Sequence, residues 1–282
     1  MEKWLLVIAV IIAVIIVVLF MGYLREQKRI DNTLERLKKN SVDTNRVVSF
    51  SSLDNLPAPV KRYFKRVLTD GQKIIKTAIL TQDGVVRTST ESEKWFPFSA
   101  KHSANGFSPG FLWNAKLKTP LATHIRVTDG YFNGVGSGRV SLLSSLLIGY
   151  EENIPELNTG ALHRYLAESV WYPTALLPES GVEWSAIDDK AALATLRDQG
   201  ATVSLEFHFN SSGEATGIYT PGRYRKEQNK YVKTPWEGHF KNYKKVDGMR
   251  VPCYGEVGWY SEDQLKLVWK GNITDFNYKF YD

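Results

Sequence analysis

Glu206 and His208, like Glu237 and His239, stand two residues apart in segments that read as strands. Alternate strand residues share a face, so each pair sets a carboxylate beside an imidazole, the material of general acid-base chemistry. Strands carry such polar pairs routinely on a wet face, and nothing else in the chain completes a reaction centre. The five histidines, His102, His124, His163, His208 and His239, show no H-x-x-x-H or H-E-x-x-H spacing. The single cysteine, Cys253, rules out a cysteine-rich metal site. No G-x-S-x-G elbow is present, and the glycines of NGVGSG lack the G-x-G-x-x-G spacing of a dinucleotide site. These patterns ask for no metal and no cofactor, and they assign no catalytic residue.

A second set of residues points to binding. The stretch NTGALHRYLAESVWYPTALLP, residues 158–178, reads as a helix with Asn158 or Thr159 as N-cap and Pro173 as its stop. Leu162, Leu166 and Val170 line one face at four-residue spacing, while Arg164 and Glu168 fit an ordinary surface ion pair. At the helix end, Trp171 and Tyr172 crowd two amphipathic rings beside the Glu168 carboxylate and within reach of His163. Aromatic walls with a few polar groups are how pockets hold hydrophobic or amphiphilic molecules. The candidate ligand-binding residues are therefore Glu168, Trp171, Tyr172 and His163, joined by the strand residues Trp236, Glu206 and His208.

Those side chains need a sheet to carry them. In TVSLEFHF, Val203, Leu205, Phe207 and Phe209 face one way and Thr202, Ser204, Glu206 and His208 the other, the alternation of a half-buried strand. Asp83-Gly84, Asp129-Gly130, Asp247-Gly248 and Ser212-Gly213 each lie between β-prone runs and predict hairpin turns. NGVGSG predicts a bulged or bent strand. LLSSLLIG, residues 142–149, fits a core segment better than a flap at a cavity mouth or membrane surface. Another helix is expected over residues 53–68, its stripe made of Val60, Tyr63, Phe64, Val67 and Leu68. No strand-helix-strand alternation appears. The fold class is α+β: a curved, largely antiparallel, half-barrel-like sheet with two packed helices, forming one soluble domain over residues 51–282.

Ahead of that domain, Trp4 to Phe20 is apolar without a break, and no charge appears from Trp4 to Leu24. At ~1.5 Å per residue, Trp4 to Tyr23 spans about 30 Å, a bilayer's hydrocarbon thickness. No A-x-A cleavage pattern follows it, so residues 1–24 read as an uncleaved transmembrane helix, anchored by Trp4, Phe20, Tyr23, Arg25, Lys28 and Arg29. Residues 25–50 read as a basic amphipathic stalk and linker. About half of the chain's net charge of +6 lies there, which suits anionic headgroups better than nucleic acid. Arg25, Lys28 and Arg29 after the span, against Lys3 before it, lean the domain toward the cytoplasmic side of the plasma membrane and leave the extracytoplasmic side open.

The strings LPAPVKRYF, HRYLAESVWYPTALLP, GVEWSAID, TPWEGHF and DGMRVP followed by EVGW occur in this order. In this they resemble an uncharacterised bacterial membrane-anchored family, a domain of unknown function that brings no assigned reaction or site. More distantly, the hairpin-rich tail is similar to lipoprotein-carrier proteins, which implies a half-barrel that holds acyl chains. Those carriers work outside the cytoplasm, against the charge bias here. The expected function is membrane-tethered binding of a hydrophobic or amphiphilic ligand such as lipid. A protein-interaction module at the membrane is the alternative, and an enzyme of unknown reaction comes third.

Overall fold

The structure, a computed structural model, describes residues 2–39, 46–120 and 123–282. Helix α1 (Glu2–Lys39) leads into α2 (Ala58–Val67). Six strands follow: β1 (Ile75–Val86), β2 (Phe96–Asn105), β3 (Gly110–Lys118), β4 (His124–Phe132), β5 (Val135–Leu142) and β6 (Leu146–Glu152). Helix α3 (Pro155–Glu168) and short 3-10 turns separate them from β7 (Val182–Ala186), β8 (Ala191–Asp198), β9 (Ala201–Phe209), β10 (Ala215–Glu227), β11 (Lys230–Val246), β12 (Met249–Ser261) and β13 (Gln264–Phe280).

The thirteen strands among the described residues join one antiparallel sheet in the order β6-β5-β4-β3-β2-β1-β13-β12-β11-β10-β9-β8-β7. Two meanders are thus welded along β1 and β13, from Ile75 opposite Phe280 to Val86 opposite Trp269. A twisted sheet this wide curls, and the result is an α+β half-barrel. Its concave face is the core. On β9, Val203, Leu205, Phe207 and Phe209 are buried there, as their alternation requires. α2 lays Val60, Tyr63, Phe64 and Val67 into the same concavity, its first turn set by Pro57 and Pro59.

Several elements depart from the sequence expectation. Asp83-Gly84 and Asp129-Gly130 lie inside β1 and β4 and make no turn. At Gly84 the reason is contact: a Cβ there would stand 2.0 Å from the carbonyl oxygen of Lys270 on β13, so glycine serves the strand seam. Asp247-Gly248 and Ser212-Gly213 do turn. Asn133-Gly134 also turns, both residues with positive φ, so NGVGSG opens as a β4–β5 hairpin. α3 begins at Pro155, earlier than Asn158, because proline suits the first helical position. Asn158 instead accepts a hydrogen bond from the Gly136 backbone N–H at 2.7 Å. Leu146, Leu147 and Ile148 are exposed on β6 and do not belong to the core.

α1 runs unbroken past its apolar part. Ile30 and Leu37 are buried against the convex face of the sheet near β2 and β3, so the stripe of the basic segment contacts protein.

Candidate functional site

At the end of α3 the chain tightens into a 3-10 turn, Ser169–Trp171. Ser169 Oγ donates to the Tyr165 carbonyl at 2.8 Å, and the Tyr278 hydroxyl donates to the Trp171 carbonyl at 2.5 Å. These bonds fix Trp171 at the wall of a cavity of about 230 Å³ between α3 and the concave face of the sheet. Trp113, Trp171, Trp236 and Trp269 form most of its aromatic wall, with Val86, Phe240 and Val257 between them. Trp171 packs edge-on to Phe240 and tilted against Trp269, at 6.3 and 6.2 Å between ring centroids.

One end of the cavity is polar. Arg164 donates to Glu168 at 2.8 Å and to Asp129 at 2.9 Å, and its guanidinium lies 5.2 Å from the Phe111 ring and 4.9 Å from the Trp113 ring. Arg223 donates twice to the Gly160 carbonyl, at 3.1 and 3.0 Å, and covers the rings of Trp236 and Trp259. Burial, with Arg164 as a like-charged neighbour, lowers Arg223 to about 10. Despite burial, Glu168 and Asp129 hold Arg164 above its ordinary value. Burial pushes the Asp129 carboxyl upward, with Arg164 opposing. Behind Glu168, fully buried His102 stacks on Tyr172, and its Nε2 lies 3.5 Å from the second Glu168 oxygen. Burial drives His102 down to about 4. The lining sets the Arg164 and Arg223 guanidinium groups beside the carboxyl groups of Asp129, Glu168 and Glu256, so this end of the cavity is polar without being an anion trap.

Several buried polar side-chain atoms have no hydrogen-bond partner among the described residues, and four of them belong to the lining of this cavity. The indole N–H groups of Trp171, Trp236 and Trp269 have no acceptor among the described residues, and Glu168 Oε2 has no donor. Trp113, by contrast, donates to Gln82 Oε1 at 2.9 Å. A buried donor left unpaired costs roughly 1–3 kcal/mol, and such groups call for an explanation. Three of them belong to residues of one wall.

The structure brings Glu168, Trp171 and Trp236 together at this cavity. Tyr172 is buried in the core beneath it, between His102 and Tyr165. His163 has its Nδ1 3.2 Å from the Thr159 carbonyl, and burial, then Arg223, lowers it to about 4. Glu206 and His208, 3.8 Å apart, lie on the convex face near Glu237 and His239, which meet at 2.8 Å. That cluster is occupied internally: Tyr260 donates to Glu237 and Tyr254 to Glu256, both at 2.6 Å. On α1, Trp4, Phe20, Tyr23, Arg25 and Lys28 are exposed, whereas Arg29 turns to Glu26 and to Thr128 of β4.

Sequence reasoning missed Asp129, Arg223, His102, Trp113 and Trp269. Arg223 had a legible signal: Pro221 and Gly222 precede it inside a strand, and a register shift falls there. Such shifts mark bulges that re-aim side chains. Asp129 was hidden by its reading as a turn residue.

No curated protein matches the chain. Among solved structures, it is similar to a LolA superfamily protein from Nitrosomonas europaea, at 9% identity and a TM-score of 0.38, over 82% of this chain and 94% of that one. It is also similar to a putative outer membrane lipoprotein-sorting protein domain from Vibrio parahaemolyticus, at 9% identity and a TM-score of 0.36, over 72% and 85%. The model of a family of unknown function, DUF6920, matches residues 54–278, and the chain belongs to that family.

Proposed function

We propose that this protein is a membrane-tethered binding protein for an amphiphilic molecule, held in the cavity at the end of α3. The observation that carries this reading is the cavity wall itself: four tryptophans, three with unpaired indole N–H groups among the described residues, beside a polar end of mixed charge. Apolar rings favour a hydrocarbon segment. Unpaired donors favour a neighbouring acceptor oxygen, such as an ester, amide or hydroxyl. At about 230 Å³ the cavity is smaller than the ~300–1,000 Å³ of common ligand pockets. It suits one chain segment with its polar junction better than a whole two-chain lipid.

Tethering is supported by α1, whose apolar half exposes large side chains from Trp4 to Leu24. The basic residues after that half favour a cytoplasmic domain, and a reporter fused after Asp282 tests the side. For the ligand, native mass spectrometry of the full chain released from detergent should show one bound amphiphile. The Val257→Trp variant, which fills the cavity from its partly exposed rim, should lose it while keeping its thermal midpoint. Equal lipid on both chains would mean that only lipid around α1 had been retained, and the proposal would fall.

A further inference from the structure

α1 packs over β2 and β3, and side chains tie it at several levels to β4, to β5 and to the turn after β5. Ser145 Oγ, in the β5–β6 turn, donates to the Leu19 carbonyl at 2.7 Å. Further along, Arg29 reaches Thr128 at 2.8 Å while Arg139 reaches Glu26 at 3.0 Å, and Arg36 lies 4.7 Å from the Phe132 ring. Leu19 to Arg36 is about 26 Å of helix at ~1.5 Å per residue. His124 to Phe132 is about 26 Å of strand at ~3.3 Å per residue. Helix and strand therefore keep pace between these ties, and the Leu143 N–H, donating to the His124 carbonyl at 2.9 Å, sets the β5–β6 turn level with the start of β4.

That turn meets α1 inside its apolar segment. Besides the bond to Leu19, a Cβ at Gly22 would stand 2.8 Å from the Ser145 carbonyl oxygen, so the helix and the turn touch backbone to backbone. Immediately beyond it, Leu146, Leu147 and Ile148 expose 43%, 49% and 59% of their surface. At the same end of the sheet, Lys116 and Lys118 of β3 are exposed, and His124 is half-exposed.

We infer that the tip of the β5–β6 hairpin is a membrane-contact element: Leu146, Leu147 and Ile148 enter the boundary between headgroups and acyl chains beside the last apolar turn of α1, with Lys116 and Lys118 over anionic headgroups. The inference rests on the reading that α1 crosses the bilayer. It follows from continuity. A helix whose apolar run ends near Tyr23 brings Leu19 to the edge of the hydrocarbon, and whatever is bonded to Leu19 comes to the same depth. Three large apolar side chains in water next to that edge lose their exposure by entering it. Interfacial elements sit about 5–10 Å into this boundary. The consequence is a fixed pose, with β4 along the membrane normal, in place of a domain swinging on a stalk.

The test uses the full chain with Cys253→Ser, reconstituted in vesicles of phosphatidylcholine and phosphatidylglycerol at three to one. An environment-sensitive fluorophore is placed at Leu147→Cys, at Glu152→Cys on the other end of the same strand, or at Val14→Cys in the span. Nitroxide-labelled lipids then report contact with the bilayer. The expected result is loss of emission at positions 14 and 147 and none at 152. Quenching at 14 without quenching at 147 would overturn the hairpin contact and leave the span standing. A blue-shifted but unquenched probe at 147 would assign that patch to a protein partner and overturn it as well. Absence of quenching at both 14 and 147 would overturn the spanning reading and the inference together.

Discussion

Arg164 illustrates how magnitude separates similar ion pairs. Its partners Glu168 and Asp129 share a concavity lined by rings, and side-chain exposure at Arg164 is 18%. Removing one member of a buried ion pair leaves uncompensated charge, at a cost of about 3–5 kcal/mol. Arg164→Met should therefore lower stability by that order in chemical unfolding. Arg197→Met, which breaks a mostly exposed pair with Glu183, should cost about 0–1 kcal/mol. The spacing of Arg164 and Glu168 made their pairing legible in the sequence. Its location was not, because four-residue spacing describes a helix face without saying what covers it. His102 and His163 carry a pH prediction. Both sit near 4 in the fold, against about 6.5 in an unfolded chain. As pH falls from 6.5 to 4 the unfolded chain takes up protons that the folded one refuses, so stability falls, by up to about 1.4 kcal/mol per pH unit for each histidine. His102→Phe keeps a ring on Tyr172 and should make thermal melts less sensitive to pH in that window. An unchanged slope would mean that His102 does not titrate there.

Among the elements, the strands were legible from alternation and the helices from stripes, but the turns only in part. Asp-Gly is a strong hairpin signal because both residues accept positive φ, yet inside β1 the glycine answers a different demand. The carbonyl of Lys270 occupies the space a side chain would fill. A single sequence cannot distinguish these needs, since one arises within the turn and the other from a strand nearly two hundred residues away. Gly84→Ala should loosen the β1–β13 seam by about 1–3 kcal/mol, seen as a lower thermal midpoint and faster amide exchange in both strands. The latter part of α1 was a similar case. Its stripe was visible, but whether membrane or sheet would cover it depended on the convex face being apolar near Leu112. Leu37→Ala should speed amide exchange over residues 26–39 without altering exchange in β9, which lies on the far meander.

At the scale of the whole molecule, one curled sheet organises both faces differently. The concave side takes α2, α3 and the aromatic cavity, and the convex side takes α1. The wide sheet was foreseen from the hairpin-rich sequence. The convergence of Trp113, Trp171, Trp236 and Trp269 was not, because it depends on curvature and on the pairing of the first strand with the last, which leave no local trace. The central claim is that these rings hold an amphiphile, and contact quenching tests it most directly. The full chain with Trp4→Phe is titrated with a single-chain phospholipid brominated along its acyl group, and indole emission is followed. Saturable quenching is expected, and it should fall to what Trp113 alone contributes when Trp171, Trp236 and Trp269 are all replaced by phenylalanine in a chain that still melts cooperatively. Quenching of the same size without those three rings would place the lipid elsewhere and contradict the account.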